Sequence, residues 1–275
     1  MEIYQAVILG IVQGLTEFLP VSSSGHLVLG QACFGMTKSL LIFDISVHVG
    51  TLFAVLVVYF SDISDILRSV FSLCSKAVQL KPVRHIIAED THLKMALWII
   101  TGSVPTAIAG LILKQFEYVL FSSTLLVGFA LILTGTILWL SRPFCFRQRK
   151  ETPVGIKRSL IIGAAQGLAV IPGISRSGAT IATAMFVGLD RKTAARFSFL
   201  LSIPAIVGAE ILSVKDMFEK GLTIDIGTIY AAIASFVTGL IALKIVLSLV
   251  HSGRLHLFAP YCWLVGVLVL FSTLM

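Results

Sequence analysis

Apolar residues in this chain fall in long blocks rather than in one-faced stripes. Crossing the hydrocarbon core of a bilayer, roughly 30 Å, takes about 20 predominantly apolar residues in a helix. Four blocks reach that length, near residues 95–113, 119–141, 226–250 and 257–275, and the first two hold no charged residue. Two more, about 40–60 and 194–212, read as spans that carry a few polar groups. Two further stretches, 3–36 and 159–189, are apolar at both ends and interrupted in the middle by Pro, Gly and Ser. Each half is too short to span. Irregular backbone at membrane depth is tolerated only where protein or a water-filled cavity satisfies its polar groups. The pattern predicts an all-α polytopic membrane protein with inverted-topology repeats, about six transmembrane helices and two re-entrant helix–loop–helix pairs.

Charge adds an orientation. Of the 275 residues, 57% are hydrophobic and 13% charged, against about 25% charged in a soluble domain. A net charge of +7 in a soluble protein would suit nucleic acid. Here the basic residues fall in a few loops, the footprint of positive-inside topology, and no nucleic-acid partner is expected. The 61–94 loop holds Arg68, Lys76, Lys81, Arg84 and Lys94. The 142–158 loop holds Arg142, Arg147, Arg149, Lys150, Lys157 and Arg158 against Glu151, and the 251–256 loop holds Arg254. These three should face the cytoplasm. The 213–225 loop mixes Lys215 and Lys220 with Asp216, Glu219 and Asp225 and suits the outside. Counting crossings, the first broken stretch enters from outside and the second from the cytoplasm. The start, MEIYQAVILG, has no basic n-region and reads as retained rather than cleaved. Cys33, Cys74, Cys145 and Cys262 form no CxxC pair and the six histidines no HExxH, so neither a zinc site nor a disulfide framework is expected.

The two broken stretches are related. At a constant offset of 153, Gly10, Gln13, Gly14, Leu15, Ser22, Ser24 and Gly25 match Gly163, Gln166, Gly167, Leu168, Ser175, Ser177 and Gly178. We read a single integral membrane domain over 1–275, with repeat one at about 1–113 and repeat two at about 155–250. Inverted repeats with broken helices place their sites near the midplane, where the halves meet. Each repeat has a GxxxG pair, Gly10–Gly14 and Gly163–Gly167, whose spacing lets helices approach closely and would bring the two loops together.

The polar residues of these loops suggest chemistry. Gln13 and Glu17 are four apart and share a helix face. An ionisable residue in a membrane segment is expensive and is a functional candidate by default. Pro20 ends a helix, and Ser22, Ser23 and Ser24 suit the cap of the next, followed by Gly25 and His26. The second loop runs from Pro172 through Ser175, Arg176, Ser177 and Gly178 to Thr180. Its arginine offers a planar fork of donors for phosphate. One loop thus supplies a carboxylate, hydroxyls and an imidazole, and the other a guanidinium and hydroxyls. Such groups move protons, act as nucleophiles and stabilise a transferring phosphoryl group. Asp44 and His48 form another i, i+4 polar pair and would support the site from behind.

At these residues the sequence resembles the undecaprenyl-diphosphate phosphatase, or bacitracin-resistance, family. That family's first motif, [EQ]GLTEFLPVSS[ST]GH, reads QGLTEFLPVSSSGH at 13–26, and its second, PGxSRSGxT, reads PGISRSGAT at 172–180. FDISVHVG at 43–50 also agrees with it. The resemblance implies hydrolysis of undecaprenyl diphosphate to undecaprenyl phosphate and inorganic phosphate, which recycles the carrier lipid of cell-wall synthesis and confers bacitracin resistance. It implies a bacterial inner-membrane protein with re-entrant inverted repeats, a site open to the outer face and a divalent cation, Mg²⁺ or Ca²⁺. Carried over, Glu17, Ser23, His26 and Arg176 are catalytic, and Ser175, Arg176, Ser177 and Thr180 hold phosphate. Glu17 and Gln13 would face the metal, with Gln13 standing where many members have Glu. The partners implied are a polyprenyl diphosphate and membrane lipid, and a homodimer is left open.

Rival readings differ in class. A lipid-phosphate transporter or flippase would use the same inverted-repeat anion site. The type-2 phosphatidic acid phosphatase superfamily shares an SGH motif, but its SRx5Hx3D motif would need His and Asp where Ala182 and Phe186 stand. A non-catalytic scaffold gives no reason for Glu17, His26 and Arg176 in apolar surroundings.

Overall fold

A peptide group in hydrocarbon has no water to bond, so a membrane chain must satisfy its main chain within helices or a closed barrel, and apolar blocks of about 20 residues suit helices. The computed structural model, which describes residues 1–36, 41–77, 83–146, 152–219 and 225–274, is helical in every regular element among them. In chain order the helices are α1 (Ile3–Phe18), α2 (Ser23–Cys33), α3 (Leu41–Val58), α4 (Phe60–Ala77), α5 (Val83–Glu89), α6 (Thr91–Lys114) and α7 (Glu117–Ser122). They continue as α8 (Thr124–Leu140), α9 (Arg142–Phe146), α10 (Gly155–Leu168), α11 (Arg176–Phe186), α12 (Arg191–Glu219), α13 (Ile226–His251) and α14 (Ala259–Leu274). Lys81, Arg147, Arg149, Lys150, Glu151 and Lys220, named above in the connecting loops, lie outside the described residues.

Five helices are long and apolar enough to cross a membrane: α3, α6, α12 over Arg191–Lys215, α13, and the run Leu255–Leu274 that contains α14. The apolar α8 has 17 residues, the lower end of the spanning range of about 17–25. This is an all-α, multi-pass membrane protein.

Two connections differ from the sequence expectation. The block at 119–141 is divided, because Ser123 is extended (φ −98°, ψ 98°) and its hydroxyl accepts the Leu126 N–H at 3.2 Å, capping α8 and separating it from α7. The 61–94 loop holds two helices, α4 and α5. On α4, Ile63 and Ile66 pack against the core while Asp65 and Arg68 face out, a two-sided pattern that a search for spans passes over.

The two broken stretches form hairpins. With 16 and 14 residues, α1 and α10 rise only about 24 and 21 Å, short of the hydrocarbon core. Each is followed by a loop and an 11-residue helix that doubles back. The Tyr4 and Phe34 rings meet at 6.4 Å, joining the start of α1 to the end of α2. In the second hairpin Arg158 Nε donates to the Val187 carbonyl at 3.0 Å and Thr152 Oγ1 to the Gly188 carbonyl at 3.2 Å.

The glycine pairs seat the hairpins on separate partners rather than on each other, which corrects the expectation that they draw the loops together. A Cβ at Gly10 would fall on the Ala231 carbonyl oxygen of α13, and one at Gly163 on the Gly102 carbonyl oxygen of α6. So α1 runs along α13 and α10 along α6, while α3 also packs on α13 and α12 on α6. The first helix of each sequence repeat lies against the last helix of the other. Between them sits a core built on Phe18, Phe197, Leu200, Leu201 and Leu243, all fully buried.

Candidate functional site

Both hairpin loops are built by the same local rules. Leu19, ahead of Pro20, is extended (φ −63°, ψ 141°), as the clash with a following proline demands. Ser22 then takes φ 68°, a conformation rare outside glycine, and caps α2 by accepting the Gly25 N–H at 3.4 Å. In the second loop Ser175 caps α11 by accepting the Gly178 N–H at 3.1 Å. The first helical residues after these caps are Ser23 and Arg176, which occupy equivalent positions at the offset of 153.

The loops bond to each other. The Gly173 N–H donates to Ser22 Oγ at 3.0 Å, and Ser177 Oγ donates to the Leu19 carbonyl at 3.4 Å. Their close contacts are reciprocal: a Cβ on Gly25 would lie 3.3 Å from Gly173, and one on Gly178 would lie 3.1 Å from Pro20. Residues 20 and 173, and 25 and 178, are themselves equivalent. Thr134 on α8 pins the junction, donating to the Gly173 carbonyl at 2.8 Å and accepting the Ser175 N–H at 3.1 Å.

Glu17 is the centre of this junction and is buried. Its Oε1 pairs with the Arg176 guanidinium from the other loop. Its Oε2 accepts from Ser23 Oγ at 2.5 Å and from Gln13 Nε2 at 2.9 Å. A buried carboxylate needs its charge matched and its lone pairs filled, and this one is answered by a guanidinium, a hydroxyl and an amide. Gln13, Glu17, Ser23 and Arg176 are therefore brought together as one cluster.

The other sequence-predicted residues surround it at different depths. Ser175 and Ser177 share a hydroxyl contact of 3.2 Å, and the fully buried Thr180 donates to the Arg176 carbonyl at 2.8 Å, so these hydroxyls support the α11 start. His26 makes its bonds elsewhere: Nδ1 lies 2.8 Å from the Ser22 carbonyl, and Nε2 lies 2.8 Å from the Tyr261 hydroxyl. On α3, His48 Nδ1 bonds the Asp44 carbonyl at 2.7 Å, and Asp44 Oδ1 accepts from Gln31 Nε2 at 3.0 Å, tying α3 to α2. His48 lies within electrostatic reach of both Glu17 and Glu210.

A hard cation would find oxygen ligands here. Gln13 Oε1 is buried and has no hydrogen-bond partner, and it belongs to the side chain that touches Glu17. An amide oxygen, a carboxylate and a hydroxyl match what Mg²⁺ or Ca²⁺ prefers, with water and substrate oxygens completing the shell. Among the described residues no three His, Cys, Asp or Glu side chains gather as a metal site. The donor set thus fits a cation that depends on substrate for its remaining ligands.

Three residues went unmarked in the sequence reading: Thr134, Tyr261 and Glu210. Thr134 reaches Gly173 across 39 residues and Tyr261 reaches His26 across 235, and short-range patterns carry no trace of such contacts. Glu210 did leave a signal, an acid inside an apolar span. It stands on α12 within electrostatic reach of His48, Asp44 and Glu17, with a buried Oε2 that has no hydrogen-bond partner.

Comparison with known proteins settles the lineage. The family described as Bacitracin resistance protein BacA matches residues 6–268. The chain belongs to the BacA family. An undecaprenyl-diphosphatase of Desulforapulum autotrophicum is 53% identical over 98% of this chain and 97% of its own length. That of Desulfosudis oleivorans is 52% identical over 97% of each chain. One from Korarchaeum cryptofilum is 43% identical over 98% of this chain and 99% of its own. The BacA match takes in both hairpin loops and all four residues of the Glu17 cluster.

Proposed function

We propose that this BacA-family chain hydrolyses undecaprenyl diphosphate to undecaprenyl phosphate and inorganic phosphate. The observation that carries the reading is the Glu17 carboxylate, which binds Ser23 of one loop and Arg176 of the other within a membrane-buried junction. The polyprenyl tail lies among the helices in lipid, and the diphosphate enters between the loops. The protein sits in the bacterial inner membrane with this site open to the outer face. Regenerated carrier lipid feeds cell-wall synthesis, and a supply that outlasts sequestration of the diphosphate gives bacitracin resistance.

The geometry favours a division of labour. Arg176 leaves Glu17 for the diphosphate oxygens, which its fork of donors suits better than a single carboxylate oxygen. Ser175, Ser177 and Thr180 hold the α11 start, whose free N–H groups favour an anion. Glu17, released from its cation, takes the proton of Ser23 as Oγ attacks the terminal phosphorus. The bond to the bridging oxygen breaks, and undecaprenyl phosphate leaves with the electron pair. Water then attacks the phosphoserine, passes its proton toward His26, and Ser23 recovers its proton from Glu17. Glu17 and Gln13 would hold a divalent cation, which when bound neutralises charge on the diphosphate. Asp44 and His48 support α1 from behind.

The test is phosphate release from undecaprenyl diphosphate by purified protein. Arg176→Ala should lower kcat/KM on the order of 100-fold or more, as for loss of a main transition-state donor. Ser23→Ala should abolish a phosphoenzyme trapped by rapid quench. A wild-type protein that moves the lipid and releases no phosphate would be a carrier, and the hydrolase reading would fall.

A further inference from the structure

Both nitrogens of His26 are occupied. The Ser22 carbonyl can only accept, so Nδ1 carries the proton in the 2.8 Å bond between them. The basic nitrogen of neutral His26 is then Nε2, and the Tyr261 hydroxyl stands 2.8 Å from it as the donor. The two rings are nearly parallel, 9° apart with centroids at 5.7 Å, which fixes the imidazole plane as well as its tautomer. Tyr261 opens α14, and its neighbour Cys262 points the other way, into the first loop, where Sγ meets the Pro20 carbonyl at 3.5 Å. Tyr261 itself is 44% exposed. A proton bound for Nε2 therefore has to come through the tyrosine oxygen, whose lone pairs remain available when its own O–H points at the imidazole.

We propose that Tyr261 is a catalytic relay residue, carrying the proton of the hydrolytic water to His26. The idea rests on the phosphoserine reading above and assigns its second step. As the water oxygen bonds to phosphorus, its proton passes to the Tyr261 oxygen and the Tyr261 proton passes to Nε2. The bond from phosphorus to Ser23 Oγ breaks, and Oγ leaves with the electron pair and takes back the proton held by Glu17. Tyr261 ends the step neutral and His26 ends it protonated. Ser23 and its activation by Glu17 do not involve Tyr261, so the relay acts on dephosphorylation alone.

The experiment compares wild type, Tyr261→Phe, His26→Ala and the double variant on undecaprenyl diphosphate, by rapid quench and at steady state. Tyr261→Phe keeps the ring and removes the hydroxyl. The relay requires it to lower kcat about as far as His26→Ala, roughly 100-fold, with KM falling in step and kcat/KM little changed. Both variants should release undecaprenyl phosphate in a burst and accumulate phosphate on Ser23, and the double variant should be no worse than either. Should Tyr261→Phe not fold, wild type still decides: dephosphorylation in mixtures of H₂O and D₂O should bow as three moving protons require, two in the relay and one returned from Glu17, and a straight line or a two-proton curve overturns the relay. Tyr261→Phe turning over like wild type while His26→Ala stalls overturns the relay and leaves the hydrolase reading intact. Hydrolysis by wild type without any phosphoenzyme overturns the relay and the covalent step together.

Discussion

Glu17 and Arg176 hold each other's charge in a place with little water, so removing either one strands the other. Losing one partner of a buried pair costs about 3–5 kcal/mol, and the partial exposure of Arg176 places this pair toward the low end. Glu17→Gln should therefore lower the thermal unfolding midpoint in detergent, and Glu17→Gln combined with Arg176→Gln should recover part of the loss. A double variant no more stable than the worse single one would mean the pair is not the reason for the loss. Both singles should also lose hydrolysis, and the double should not regain it. The cluster was legible in the sequence because Gln13, Glu17, Ser23 and Arg176 are polar residues in two related motifs set in an apolar background. Its wiring was not. Nothing in the sequence chooses between Glu17 and His26 as acceptor of the Ser23 proton, whereas the structure shows Ser23 bonded to Glu17 while His26 bonds Ser22 and Tyr261. Tyr261 is 235 residues from His26, and only the fold brings them together.

Hairpins that hold a site must be seated as firmly as spans, and here the seats are glycines. A Cβ at Gly163 would collide with the Gly102 backbone, which has no room to give, whereas one at Gly110 on the same partner helix would meet nothing within 4 Å. Gly163→Ala should destabilise by about 1–3 kcal/mol or more, and Gly110→Ala should stabilise by about 0.5–1 kcal/mol through helix propensity. Equal effects in thermal unfolding would refute the close seating of α10 on α6. Helix ends matter in the same way. Asp225 caps α13 through the Thr228 N–H at 2.7 Å and the Thr228 hydroxyl at 2.8 Å, bonds that hold its carboxyl below the usual carboxylate range. A lowered folded-state value stabilises above the unfolded value of about 3.9 and loses that contribution as pH falls through the folded one. Asp225→Ala should then cost about 1 kcal/mol near neutral pH, and the gap to wild type should close in acid. At this scale hydropathy found the long spans and the two broken stretches. It missed the Ser123 break, where one hydroxyl cap outweighs an unbroken apolar run, and the two-sided α4, whose apolar face is too narrow to look like a span.

The molecule as a whole is two hairpins held tip to tip, with α1 seated on α13 and α10 on α6, and the distribution of charge predicts how it lies in the bilayer. If the basic 142–158 segment is cytoplasmic, α10 and α11 enter from that face and α1 and α2 from the opposite one. The packing makes this testable, because the start of each hairpin lies beside its own end: Tyr4 beside Phe34, Arg158 beside Val187. The native Cys33 is exposed and reports on the end of the first hairpin once Cys74, Cys145 and Cys262 are replaced. In a background also lacking Cys33, single cysteines at Glu2, Lys157, Lys192 and Lys215 report on the remaining positions. A membrane-impermeant maleimide added to intact cells should reach Cys33, Glu2→Cys and Lys215→Cys, and should reach Lys157→Cys and Lys192→Cys only after permeabilisation. Labelling of Cys33 and Glu2→Cys from different faces would make the first pair a crossing. That outcome would change the parity of every later span and carry the site away from the outer leaflet. Agreement within each pair, with the pairs on opposite faces, would place Glu17 and Arg176 where hairpins from the two sides meet. That depth would let a headgroup enter from the outer face while its polyprenyl tail stayed in lipid.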